Sequence, residues 1–344
     1  MTRSLTIDLH THVLPKSLPD LEQKFGYPGW VHLDHCCPGR ARMMLGETCF
    51  RTVEENCWSV DQRLVECDRD GVDVQLLSTV PVLFSYWAQP AHALELARYL
   101  NDDLARSVEQ HPDRLVGLGT VPLQDPDLAI GELERCMQIG LLGVQIGSHV
   151  NEWNLDAPEL FPFFERASEL GAAIFVHPWD MLARERMGSY WLSWLVGMTT
   201  ETTLAICSLI LGGVIDRLPQ LRVAFAHGGG SFPGILGRIE HGYDVRPDLV
   251  ATQTKRPPRE QIRSIYYDSL VHDAAALRYL VELVGVDRVA LGTDYPFPLG
   301  EHRPGELIRS QPWLDEAAQK RLLAGTALEF LGLETSRFGS APGC

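Results

Sequence analysis

Uncharged apolar residues never run for 18 positions or more in this chain of 344 residues, which argues against a membrane-spanning helix. The first residues also lack the basic, then apolar, then small-residue order of a secretory leader. A soluble, intracellular, cytoplasmic protein is expected. Paired cysteines are missing too: Cys36, Cys37, Cys49, Cys57, Cys67, Cys136, Cys207 and Cys344 form no Cys-x-x-Cys and keep no regular interval, so free thiols are expected. The triplet His35-Cys36-Cys37 has metal-binding residue types but no second pair to complete a shell. Positive charge is scarce, with 30 Lys and Arg against 45 Asp and Glu and a formal net charge of -15. That balance excludes nucleic acid and an anionic membrane as partners, and an anionic small molecule would need arginines placed locally to meet it. No glycine-rich phosphate turn follows the first strand, and the glycine run 228–230 lacks the rest of a nucleotide fingerprint.

What the chain does have is alternation. Its 45% hydrophobic content is that of a globular protein. Short apolar strands are expected near residues 5, 72, 115, 142, 173, 221, 265 and 289, separated by helical stretches at 63–69, 91–110, 129–139, 156–170, 191–213 and 274–284. A helical tail is expected to run to about residue 331, with Asp315 as its N-cap, and Asp156 with Glu159 reads as a capping box. Strand–helix alternation predicts an α/β fold with a parallel sheet, and eight units predict a (β/α)8 TIM barrel spanning residues 1–344 as one domain. Residues 13–61 break the pattern. Pro15, Pro19, Pro28 and Pro38 and scattered aromatics mark a small inserted lobe after the first strand, over the functional face.

His10 and His12 lie two apart on the first strand, so both imidazoles point to one side and can share an ion. His177 ends the fifth strand, His227 the sixth and Asp294 the eighth, and in a barrel these ends gather at one mouth. Three imidazoles and a carboxylate make an open catalytic metal shell, which assigns His10, His12, His177 and Asp294 as ligands and His227 as general base or acid.

This order of His-x-His, His, His and Asp resembles the amidohydrolase superfamily. Two-metal members bridge their ions with a carbamylated lysine on the fourth strand; here that strand reads Gly143-Val-Gln-Ile-Gly147, so one metal is expected. Longer stretches extend the likeness. Arg51 in Cys-Phe-Arg51, Asn56-Cys-Trp58, Val121-Pro-Leu-Gln124, Gln145-Ile-Gly147, His177-Pro-Trp-Asp-Met181, Trp194-Leu-Val196, His227-Gly-Gly-Gly-Ser-Phe232 and Gly292-Thr-Asp-Tyr-Pro-Phe-Pro-Leu-Gly-Glu301 look like the 2-amino-3-carboxymuconate-6-semialdehyde decarboxylase family, as far as about Leu333.

The resemblance implies an enzyme with one zinc per subunit. It would remove one carboxylate, without oxidation, from a small dicarboxylate of tryptophan (kynurenine) or nitrobenzoate degradation. The family's ligands and acid/base fall on the residues already assigned. Its carboxylate-binding arginines fall on Arg51 and on Arg238, the latter reaching the neighbouring site of a homodimer; on residue type alone both read as ordinary ion-paired surface arginines. By the same resemblance Trp191 and Trp194 wall the pocket, or else are core aromatics of the helix they start, and Phe297 packs against substrate. Bidentate guanidinium groups suit a dianion better than lysines do.

Rival readings are a metal-dependent hydrolase of a lactone or amide, since activated water serves both chemistries, and a decarboxylase of aromatic acids such as resorcylates. The latter kind tends to carry Glu-x-His where this chain has His10-Thr-His12. A catalytically silent barrel predicts a lost ligand or base, and none is missing.

Overall fold

The computed structural model describes residues 4–338. Its strands run in chain order as β1 (Ile7–Val13), β2 (Val31–Cys37), β3 (Arg40–Leu45), β4 (Thr48–Glu54), β5 (Val74–Thr79), β6 (Leu115–Gly117), β7 (Gly143–Gly147), β8 (His149–Val150), β9 (Trp153–Asn154), β10 (Ala173–His177), β11 (Arg222–Phe225), β12 (Tyr266–Asp268) and β13 (Val289–Ala290). Eight of them are parallel, in two sheets of order β1-β5-β6 and β13-β12-β11-β10-β7. Backbone hydrogen bonds also cross both junctions between those sheets. Leu9 N–H donates to Leu291 O and Asp294 N–H to His10 O, each at 2.8 Å, while Gly119 N–H donates to Gly143 O at 2.9 Å and Gln145 N–H to Gly119 O at 2.8 Å.

These strands read as near-continuous apolar runs because both of their faces are buried. Ile7, Leu9, Val74, Leu76, Phe175, Ala224 and Ala290 fill one face together with Ala327, Phe330 and Leu331 of the C-terminal segment. The alternate residues, among them Leu77, Val144, Ile174, Val223 and Val289, pack against the helices. Helices Val60–Asp70, Pro90–Gln110, Pro126–Gln138, Phe161–Leu170, Met198–Leu211, Phe232–Val245 and Ala274–Val284 precede successive parallel strands, giving the mixed α/β alternation expected from the sequence.

Helix ends follow local chemistry. The Ser59, Asp125, Asp273 and Asp315 side chains accept backbone N–H groups as N-caps. The capping box expected at Asp156 and Glu159 does not form: a 3-10 turn over Pro158–Leu160 leads into Phe161–Leu170, and neither start has a side-chain cap. Proline at the head of that turn has no N–H to be capped. Residues 193–211 are helical, opening with a π-turn at Ser193–Gly197. By length and composition this stretch could cross a membrane, but half of it is buried inside the fold, and its Glu201 is a buried carboxylate.

Residues 13–61 hold more regular structure than their sequence suggests. Strands β2, β3 and β4 form an antiparallel sheet with its own core of Trp30, Val31, Ala41, Met43 and Val53, to which Phe297 also belongs. Its alternation, Arg40 and Arg42 exposed against Ala41 and Met43 buried, is short enough to be masked by the surrounding prolines.

Glu301, in the segment after β13, is a half-buried acid whose carboxyl accepts the Leu307 N–H. Burial, reinforced by the nearby Asp8 charge, pushes it up to about 7. A folded-state value above the unfolded one contributes stability at low pH that is lost as pH rises through about 7. Glu301→Gln, which keeps the acceptor, should match the parent in thermal unfolding at pH 5 and exceed it at pH 8. Equal pH dependence of the two proteins would refute this.

Candidate active site

The parallel strands deliver their C-terminal ends to one side, and the five residues singled out from the sequence meet there. His10 Nε2 lies 3.2 Å from His12 Nε2 and 3.5 Å from Asp294 Oδ1, and His12 Nε2 lies 3.0 Å from the same oxygen. The His177 ring is 5.1 Å from that of His10 and 4.9 Å from that of His12, with the His227 ring 5.1 Å from His177 and 5.3 Å from His10. Donor atoms of His10, His177, His227 and Asp294 all fall within 4.8 Å of one another.

Hydrogen bonds to the far nitrogens fix which atoms face inward. His10 Nδ1–H donates to Asp268 Oδ2 at 2.7 Å, His12 Nδ1–H to Thr79 O at 3.2 Å and His177 Nδ1–H to Pro178 O at 2.9 Å. Each Nε2 therefore carries a bare lone pair. His177 Nε2 is buried without a hydrogen-bond partner, and the His10 and His12 lone pairs confront each other and a carboxylate oxygen. Donors sharing an ion at about 2.0–2.1 Å in a tetrahedral shell sit roughly 3.3 Å apart, so the spacings of 3.0, 3.2 and 3.5 Å fit a divalent cation. His227 differs: its ring Nδ1 is buried without a hydrogen-bond partner among the described residues.

Charge follows the same division. Burial is the largest influence on the Asp294 carboxyl and would raise it, but the adjoining His12 and His10 imidazoles favour its charged form and hold it well below the ordinary carboxylate range. Burial, then the His12, His227 and His10 charges, keeps His177 well below the usual histidine value. Burial and then the His10 charge push His227 down to about 4, so it is neutral near pH 7.

Local backbone is unusual at two of these residues. His227 and Asp294 hold left-handed φ values of 57° and 60°. Behind His227 the chain must be glycine: a Cβ at Gly228 would lie 2.3 Å from Val271 Cγ1, and one at Gly230 would lie 2.3 Å from Thr199 O.

A pocket opens beside this cluster, lined by His12, His177 and Asp294 together with Arg51, Trp191, Trp194 and Phe297. The Arg51 guanidinium stacks 4.3 Å from the Phe297 ring centre and has no ion pair among the described residues. Burial lowers its pKa, the Asp294 charge opposing. Trp191, 43% exposed, lies at the rim with left-handed backbone just before the helical stretch, so the pocket-wall alternative fits both tryptophans. Arg238 is not brought into this cavity; it is exposed on Phe232–Val245.

Several residues escaped the sequence. Asp268, read only as part of a strand, holds His10; the fully buried Arg63 donates to the His12 and Asn56 carbonyls; Phe50, Trp179 and Met198 complete the walls. On β7, where a bridging lysine is absent, Gln145 spends its amide on Thr79 O and on the Ser78 hydroxyl. His35-Cys36-Cys37 gathers no third ligand among the described residues.

Comparison with known proteins identifies the family. The amidohydrolase family profile matches residues 7–333. The chain is 56% identical over 337 residues to the 2-amino-3-carboxymuconate-6-semialdehyde decarboxylase of Dictyostelium discoideum, covering 98% of this chain and 94% of that one. It is 40% identical to the enzyme of the same name from Caenorhabditis elegans, covering 97% and 96%. Among solved structures, 5-carboxyvanillate decarboxylase of Sphingomonas paucimobilis superposes with a TM-score of 0.81 at 26% identity, covering 96% of this chain and all of that one.

Protein equilibrated with a divalent ion and then desalted should retain one ion per chain by elemental analysis, and His177→Ala should retain far less. Retention of two ions, or undiminished retention by the variant, would contradict the single-shell geometry.

Proposed function

Because this chain belongs to the amidohydrolase family and is a metal-dependent carboxy-lyase, we propose that it converts 2-amino-3-carboxymuconate 6-semialdehyde to 2-aminomuconate 6-semialdehyde and carbon dioxide. The observation that carries this reading is 56% identity across nearly the whole chain, joined to a cavity in which an unpaired arginine faces a cation-binding cluster. In the same reading the eight parallel strands close into a (β/α)8 barrel, with residues 13–61 as a lobe over its mouth; the hydrogen bonds at both sheet junctions support the closure. His10, His12, His177 and Asp294 hold one zinc, the choice that three imidazoles and a carboxylate favour. When bound, a divalent cation supplies Lewis acidity that acidifies water or polarises a substrate oxygen.

The chain's own groups supply the rest. Arg51, already desolvated against Phe297, clamps one substrate carboxylate in two parallel hydrogen bonds. Trp191, Trp194 and Phe297 keep the conjugated body flat and dry. His227, neutral near pH 7, takes a proton from water and returns one to the carbon that loses carbon dioxide, so that the electron pair of the broken C–C bond ends in the new C–H bond. Arg238 serves the site of a second copy. Its place one turn from the exposed Ile235 on the same helix supports a homodimer interface there. The free thiols among the described residues support a reducing, cytoplasmic location, and likeness to the two 2-amino-3-carboxymuconate-6-semialdehyde decarboxylases supports a role in tryptophan or nitrobenzoate breakdown; Cys344 lies outside the described residues.

Mixing protein with the semialdehyde should abolish its absorbance and release one equivalent of carbon dioxide, with loss on chelation and recovery on zinc addition. His227→Ala should keep its metal and lose roughly two to four orders of magnitude in turnover. A metal-loaded protein inert towards this substrate would sink the assignment and favour a lactone hydrolase. Inactive Arg238→Ala and inactive His177→Ala proteins, mixed under exchange conditions, should regain activity if sites are shared; no recovery would remove Arg238 from the neighbouring site.

A further inference from the structure

We propose that Asp268 is the positioning residue that couples the cation-holding half of the site to its proton-transferring half, an inference that rests on the functional reading above for the roles of those halves. Asp268 Oδ2 accepts His10 Nδ1–H at 2.7 Å and the His227 backbone N–H at 2.9 Å. Its Oδ1 accepts the Gly228 N–H at 2.7 Å and the Leu270 N–H at 3.1 Å. Four donors on a group with about four acceptor positions leave the carboxylate full.

Three consequences follow from that count. An amide in this place would turn an N–H toward another N–H, so the carboxylate is required as such. No lone pair remains for a metal, which makes Asp268 a support for the shell and not a member of it. The His10 proton is pinned at Nδ1, which commits Nε2 to face His12 and Asp294.

The second arm reaches His227. That residue and Gly228 hold consecutive left-handed backbone, φ 57° and 61°, a turn whose two N–H groups converge on the one carboxylate. The ring Nδ1 has no partner, so this backbone grip sets where the imidazole stands. Close approach is possible because residue 292 is glycine: a Cβ there would lie 2.7 Å from Asp268 Cβ and 2.8 Å from His10 Cβ. One side chain thus fixes the tautomer of a ligand and the place of the acid/base.

Proton NMR of the zinc-loaded protein should show a far-downfield resonance from His10 Nδ1–H that persists in His227→Ala and vanishes in Asp268→Asn. Competition against a chelator should find zinc held roughly 10–100-fold more weakly by Asp268→Asn. At saturating zinc that variant should still turn over at least tenfold more slowly, with KM unchanged because Arg51 is untouched. A merely structural role would leave resonance and affinity as they are. Wild-type affinity and turnover in Asp268→Asn would overturn the proposal. If the variant does not fold, absence of the resonance from the wild-type holoenzyme would overturn it as well. Neither resonance nor affinity involves substrate, so a protein that passes both yet leaves the semialdehyde untouched would refute the functional reading and support this one.

Discussion

Three bare imidazole nitrogens and one carboxylate oxygen point into the same few ångströms, and no donor among the described residues satisfies them together. A lone pair against a lone pair at 3.2 Å is repulsive unless a positive charge lies between. The rest of the molecule can be understood as the means of holding that arrangement. Residues 10 and 294 are neighbours only because β1 and the segment after β13 are hydrogen-bonded, the Asp294 N–H to the His10 carbonyl. The two left-handed positions at His227 and Asp294 each cost on the order of 1–3 kcal/mol, which only a closely determined surrounding sustains.

Orientation comes from a ring of acceptors behind the ligands. Asp268, Thr79 O and Pro178 O each take one Nδ1 proton, so the inward nitrogens are set before any cation arrives. Gln145 in turn holds Thr79 O, and the buried Arg63 guanidinium holds the His12 carbonyl. The absent partner at His227 Nδ1 is as informative as the anchors elsewhere. The ring proposed to exchange protons is held by its backbone and left free at its nitrogen.

Much of this was legible in the sequence, and for a physical reason. Strands buried on both faces cannot hide, and β1, β5, β6, β7, β10, β11, β12 and β13 all fall where apolar runs predict them. His10, His12, His177, His227 and Asp294 were readable because each lies within or just past such a strand. Asp268 ends a strand too, yet a lone acid there looks like any strand-end carboxylate until His10 Nδ1 is seen against it. Arg63 was hidden by helical surroundings, since a guanidinium on an amphipathic helix normally faces water. The antiparallel sheet of β2, β3 and β4 was obscured because prolines in residues 13–61 dominate a pattern only two or three alternations long. Arg51 was assigned by likeness, as nothing in its neighbours marks a cavity.

The field at the mouth is the last constraint. A chain of net charge -15 repels a dianion at long range, so attraction must be local. Arg51 meets that need in an economical way: its desolvation is already suffered in the free protein against Phe297, and no protein carboxylate has to be displaced before an anion can pair with it. At 4 Å such a pair gains about 4 kcal/mol at an effective dielectric near 20, against about 1 in water. One guanidinium accounts for one carboxylate. For a substrate with two, the pocket within a single chain offers no second arginine, and in the proposed dimer the exposed Arg238 is the group that a second copy would bring. On that proposal, assembly and substrate charge are two aspects of one electrostatic requirement.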